Sequence, residues 1–145
     1  MHTARFAIAT ILLCFSLPAV TAAEDRQLVE MPAPMQAHML ANMRDHLLAL
    51  ETITRLLAEG DYDQAANVAE QRLGMSSLDA HGAAHMAHVM PEGMRATGTA
   101  MHQAASRFAL KARDAELDGG LAATFGGLSE VMRQCVACHE SYRIH

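Results

Sequence analysis

The apolar residues of this chain recur at three- and four-residue steps, the spacing of an α-helix. One stripe of this kind is formed by Met39, Met43, Leu50, Ile53 and Leu57. No segment alternates β-branched and aromatic residues with the period of two that strands show. Trp is absent and Tyr occurs twice. The pattern predicts an all-α protein.

Four long helices are predicted, each bounded by residues that start or stop a helix. Their ranges are residues 34 to 59, 63 to 73, 91 to 117 and 121 to 142. A short helix is expected after Ser76 or Ser77, and Gly60, Gly74 and Pro91 mark helix ends and starts. Amphipathic helices joined by short connections predict one domain, an antiparallel four-helix bundle.

The first 23 residues have the order of a secretory signal peptide. Arg5 gives a basic start, an apolar run covers residues 6 to 20, and small residues precede Glu24. The run is too short to span a bilayer comfortably, and no later segment resembles a membrane helix. The sequence therefore predicts a signal peptide, residues 1–23, a mature domain, residues 24–145, and export to a bacterial periplasm.

The charge balance of the chain is acidic, with 16 Asp and Glu against 11 Lys and Arg. An acidic domain argues against nucleic acid as a partner, and a protein that docks by charge would be basic. No Ser/His/Asp set, phosphate loop or pair of carboxylates stands out. We therefore expect that this protein is not an enzyme that acts alone.

The two cysteines of the mature domain stand in the run Cys135-Val-Ala-Cys138-His139. Such a spacing closes almost no loop, so a disulfide would stabilise little. A thioredoxin-like redox pair would need a βαβ context, which the pattern lacks. C-x-x-C-H is the attachment motif of c-type haem. The motif predicts one covalent haem c on Cys135 and Cys138, with His139 as proximal iron ligand.

The run from Cys135 to Arg143 resembles the C-x-x-C-H-x-x-[FY]-R ending of the class II cytochromes c, the cytochrome c′ family. Residues 60 to 66 are similar to the first inter-helix segment of that family. The resemblance implies a four-helix haem bundle, with Arg143 near the proximal ligand. It also implies a homodimer formed through the first two helices. The alternative for Arg143 is a solvated cation at a helix end.

In that family the first helix supplies the distal side of the haem. An apolar residue there leaves the iron five-coordinate and open to nitric oxide, whereas a methionine gives a six-coordinate electron carrier. The resemblance places Met39 at the ligand position, with Met43 one turn on as its rival. Alternatively, these methionines fill the core. His38 and His46 of the same helix could also ligate the iron, but a position at the surface or at the haem edge is the preferred interpretation of each.

The family pattern does not account for the His- and Met-rich segment, residues 81 to 102. His81, His85 and His88 step by four and three, so one helical face would present all three. Neutral imidazoles in that arrangement suit copper or zinc. A polar helix face, or contacts at the haem edge, are the alternatives.

Three functions are consistent with these motifs. The expected one is an exported monohaem cytochrome that transfers electrons to a redox partner protein, since Met and His ligation raises the reduction potential. The first alternative is a five-coordinate protein that binds nitric oxide. The second is a periplasmic metal-handling accessory that uses residues 81 to 102.

Overall fold

The computed structural model describes residues 24–118 and 120–145, and the predicted signal peptide lies outside the described residues. The all-α prediction is confirmed, and each long helix begins and ends within one residue of its predicted range. The helices are α1 (Ala33–Glu59), α2 (Tyr62–Arg72), α3 (Ala83–Met86), α4 (Glu92–Asp118) and α5 (Leu121–Ser141). None of those described is long and apolar enough to cross a membrane.

The turn between α1 and α2 follows from two adjacent residues. Gly60 has φ of +80°, a left-handed conformation that glycine adopts without steric cost, and it ends α1 as predicted. The Asp61 side chain accepts a hydrogen bond from the backbone N–H of Gln64 at 3.1 Å, which caps α2. This short connection brings α2 back against α1.

The main core lies where α2 packs on α1 and α4, and where α4 packs on α5. Small side chains let these helices approach closely. A Cβ atom at Gly127 of α5 would lie 3.0 Å from Lys111 Cδ and 3.5 Å from Phe108 Cδ2 of α4. The largest fully buried side chains are Phe108, Ile53, Leu73, Val131, Thr124 and Ser77.

The segment between α2 and α4 differs from the single short helix predicted after Ser76 or Ser77. It holds a 3₁₀ turn, Met75–Ser77, and then the four-residue helix α3. Gly82 precedes α3 with φ of +62°. A left-handed residue interrupts a helix, so residues 76 to 90 do not form one continuous helix.

Two short strands, which the helical periodicity did not predict, join the ends of the described chain. Strand β1 (Gln27–Leu28) pairs in parallel with β2 (Tyr142–Arg143), with Gln27 opposite Tyr142. The backbone N–H of Val29 donates to the carbonyl oxygen of Arg143 at 2.8 Å. Two residues are too few to show an alternating pattern. The pairing holds the segment before α1 beside the residues that follow Cys138 and His139.

Candidate functional site

A second buried cluster, separate from the main core, surrounds the end of α5 and the first half of α1. We call it the methionine cluster because thioethers dominate it. Methionine side chains are flexible and their sulfur atoms are polarisable, so they can fill an irregular space. Its buried members are Val29, Met39, Met86 and Met94, and its partly buried members are Met31, Met35, Met43, Val89, Met90, Cys138, Tyr142 and Ile144.

The two cysteines of the C-x-x-C-H motif lie one helical turn apart on α5. Both are free thiols and half-buried. Cys135 packs against the main core and its thiol lies 3.7 Å from the Val131 carbonyl oxygen, whereas Cys138 belongs to the methionine cluster. Burial raises the pKa of both thiols, and the neighbouring Cys135 raises that of Cys138 further. Both therefore stay protonated at neutral pH.

His139 and Arg143, the other predicted residues of this motif, differ in their surroundings. The His139 side chain is exposed, and its backbone carbonyl oxygen accepts a hydrogen bond from Arg26 Nη1 at 3.4 Å. Arg143 is half-buried, so it is not a fully solvated cation. Its Nη1 donates to the carbonyl oxygen of His145 at 3.1 Å. Its Nε is buried and finds no hydrogen-bond acceptor among the described residues.

The candidate distal ligands on α1 lie in the same cluster as Cys138. Met39 is buried, with 8% of its surface exposed, and Met43 is half-buried. The two candidate histidines of α1 lie elsewhere. His38 is exposed and its Nε2 lies 2.9 Å from the carbonyl oxygen of His81, while His46 packs against other histidines.

The histidine triad, our name for His46, His81 and His102, brings three elements together. His46 is on α1, His81 is in the turn before α3, and His102 is on α4. The ring centroids are 4.7 Å apart for His46 and His81, 5.4 Å for His81 and His102, and 6.1 Å for His46 and His102. Two of these imidazoles are buried, those of His46 and His102.

The single helical face predicted for His81, His85 and His88 does not form. Only residues 83 to 86 of that stretch are α-helical, since Gly82 is left-handed. His85 and His88 are exposed, and no ring contact within the described residues links either of them to His81. The structure instead places His81 against two histidines that are distant in the sequence.

Burial and neighbouring groups keep two imidazoles of the triad, those of His46 and His81, neutral. Burial, followed by the neighbouring His81 and His102, lowers the pKa of His46 to about 4. Burial and His102 also lower the pKa of His81. Beside them the Asp45 carboxylate pairs with Arg72, which holds the pKa of Asp45 below its ordinary value. At neutral pH, His46 and His81 therefore offer uncharged ring nitrogens.

We expect acid to destabilise the native state through His46. The unfolded chain binds a proton near the ordinary histidine pKa of about 6.5, whereas native His46 does so only near its pKa of about 4. The stabilisation is therefore complete above about pH 6.5 and is lost as the pH falls towards about 4. The loss should reach roughly 2–3 kcal/mol. Urea unfolding at several pH values, with a chelator present, measures it.

The variant His46→Gln tests the source of this pH dependence, because glutamine does not titrate. Its free energy of unfolding should change less across the same pH range than that of the unsubstituted protein. The matched control is His88→Gln, which removes an exposed imidazole and should keep the full dependence. An unchanged dependence in His46→Gln would show that another group controls acid unfolding.

The contact between His46 and His102 was not predicted from the sequence. His46 was considered only as a haem ligand or as a histidine at the surface or haem edge, and His102 only as the end of the His- and Met-rich segment. No local spacing relates them, because they come from different helices. Their meeting depends on how α1, α2 and α4 pack.

Among the described residues, no group of three or more His, Cys, Asp or Glu side chains could hold a metal ion in the conformations that the side chains now have. Comparison with known protein families, curated proteins and solved structures finds no match to this chain. The functional inference therefore rests on the residues described above and on their geometry.

Proposed function

We propose that this protein is an exported c-type cytochrome that carries one covalent haem and transfers electrons. One observation carries the proposal. Cys138 of the C-x-x-C-H motif packs in the methionine cluster that also contains Met39 and Met43, although α1 and α5 lie at opposite ends of the sequence. One candidate attachment residue and both candidate distal methionines thus pack in one apolar cluster.

The finer architecture belongs to the same proposal. The four long helices would form the antiparallel bundle that the resemblance to class II cytochromes c implies. The contacts of α1 with α2, of α2 with α4 and of α4 with α5 support that arrangement. Export to the periplasm, a redox partner protein and a homodimer are further parts of this proposal.

The donor set of the C-x-x-C-H motif, together with the methionines of the cluster, fits a haem. Cys135 and Cys138 would hold the porphyrin covalently, His139 would be the proximal ligand, and a methionine of α1 would be the distal one. The bound haem supplies one-electron chemistry at its iron. The buried Nε of Arg143, four residues after His139, has no acceptor among the described residues and is an unsatisfied polar group close to the motif.

The surrounding residues would set the properties of that group. Thioethers and aliphatic side chains exclude water from the cluster, and a low-dielectric shell disfavours additional positive charge on the iron. Such a shell therefore favours the reduced state and raises the reduction potential. Because Cys135 and Cys138 are only half-buried, a group attached to them would border the solvent. That position suits electron exchange with a partner.

Met39 is the distal ligand that we propose, because it is more buried than Met43. The purified ferrous holoprotein should be low-spin and unchanged by carbon monoxide. Met39→Leu removes the thioether at nearly constant volume. This variant should become high-spin and bind carbon monoxide, whereas Met43→Leu should stay low-spin. Optical spectra of both oxidation states, with and without the gas, measure the difference.

Met94→Leu is the matched control for that experiment. Met94 is also buried in the methionine cluster, with 7% exposed, but it comes from α4. Its variant should keep the low-spin spectrum. High-spin unsubstituted protein that binds carbon monoxide would rule out methionine ligation and indicate gas binding as the function. A change in Met43→Leu alone would assign the ligand to Met43.

A further inference from the structure

The spacing of the histidine triad matches that of three imidazoles around one metal ion. The ring centroids of His46, His81 and His102 are separated by 4.7, 5.4 and 6.1 Å. With metal–nitrogen distances of about 2.0–2.1 Å, tetrahedral geometry puts the centres of coordinating imidazoles roughly 5 Å apart. In their present orientations the three rings do not form a metal-holding group, so they would have to rotate about their side-chain torsions to coordinate an ion.

Hydrogen bonds fix the same tautomer in two of these histidines. Nδ1 of His102 lies 2.7 Å from the carbonyl oxygen of Leu73, which can only accept, so this nitrogen carries the proton. The Ser77 hydroxyl donates to the Gly74 carbonyl at 2.7 Å, so its oxygen is left to accept from Nδ1 of His81 at 3.2 Å. Both rings therefore keep an Nε2 lone pair. Metal-binding histidines commonly donate a hydrogen bond from one ring nitrogen and bind the metal through the other.

His46 provides the third nitrogen. Its side chain is 8% exposed, and its Nε2 is buried without a hydrogen-bond partner among the described residues. A buried polar atom without a partner costs free energy. A metal ion bound between His46 and the other two rings would satisfy that nitrogen.

We propose that His46, His81 and His102 bind one divalent transition-metal ion. Three neutral imidazoles suit Zn²⁺ and Cu²⁺, and the tetrahedral spacing favours Zn²⁺. His81 is half-buried, so the ion is reached from the solvent on that side and water completes its coordination. The exposed His85 and His88 take no part.

The site is distinct from the proposed haem ligands. His46 follows Met39 by seven residues on α1, which is two turns or about 10 Å along the helix. The ion would tie α1 to α4 directly, whereas the protein otherwise joins them mainly through α2. Because a metal that binds only the folded state stabilises it, the ion would raise the melting temperature. The proposal is independent of the haem assignment.

Equilibrium dialysis of the full mature holoprotein tests the site. The protein is stripped with a chelator, dialysed against Zn²⁺ or Cu²⁺, and the metal per chain is measured by mass spectrometry. We expect one ion per chain and a higher melting temperature. His81→Gln and His102→Gln should weaken binding by at least about 100-fold. His85→Gln and His88→Gln, the matched controls, should bind normally, and the haem spectrum should be unchanged in all four variants.

His81→Gln is the decisive variant. His81 is half-buried, so its replacement should disturb the fold less than replacement of the buried His46 or His102. Far-ultraviolet circular dichroism checks the helix content of the variant. Binding of either ion that depends on His81 and His102 supports the site. Absence of stoichiometric Zn²⁺ and Cu²⁺ from the unsubstituted protein overturns the proposal. Equal loss of binding in His85→Gln or His88→Gln also overturns it, because the ion would then be held by the exposed histidines.

Discussion

Replacing both Cys135 and Cys138 by alanine should abolish covalent haem in the purified protein. Thioether bonds to these two sulfur atoms are the only covalent attachment that the proposal provides, and both residues are free thiols. The variant chain should therefore lack the mass of a haem and should give no haem stain on a denaturing gel. Cys135→Ala and Cys138→Ala should each retain at most one thioether bond to the haem, and each should give a lower yield of haem-containing protein.

Val136→Ala is the matched control, because Val136 stands between the two cysteines on α5 and its side chain is exposed. This variant should keep the haem and the yield of the unsubstituted protein. Covalent haem in the double variant would place the attachment elsewhere. If a host that attaches haem to exported cytochromes secretes the unsubstituted protein without covalent haem, the proposed function loses its basis.

The second large effect concerns the main core. Phe108 of α4 is 1% exposed and is the largest fully buried side chain among the described residues. It lies opposite Gly127 of α5, where an added Cβ atom would be 3.5 Å from Phe108 Cδ2. Phe108→Ala removes this contact and leaves a cavity, so the free energy of unfolding should fall by about 3–5 kcal/mol. Urea unfolding followed by circular dichroism measures the change.

Leu110→Ala serves as the control on the same helix. Leu110 is 61% exposed, so its truncation removes little packing. Its free energy of unfolding should stay within about 0.5 kcal/mol of the unsubstituted value. Similar losses in the two variants would mean that helix propensity, rather than core packing, controls the stability of α4.

The long helices were predictable because their signals are local. An apolar stripe needs only residues three and four positions apart, and helix ends need only a cap residue such as Gly60 or Asp61. The C-x-x-C-H motif is local as well, since its three functional side chains lie within one turn of α5. The sequence by itself determined these features, because each depends on the conformation of a few consecutive residues.

The short strands and the region around His81 were not predictable in this way. Strands β1 and β2 contain two residues each, too few for a periodic signal. For His81, His85 and His88, helical spacing suggested a shared face, but the left-handed Gly82 interrupts the helix. A spacing rule holds only where the backbone follows the period that it assumes.

Only the tertiary structure decided which distant residues meet. It joined His46, His81 and His102 from three elements, and it placed Met39 of α1 in one cluster with Cys138 of α5. Apolar periodicity states which face of a helix is buried but not which helix covers it. That choice depends on the close packing of all the helices together, which no single stretch of sequence specifies.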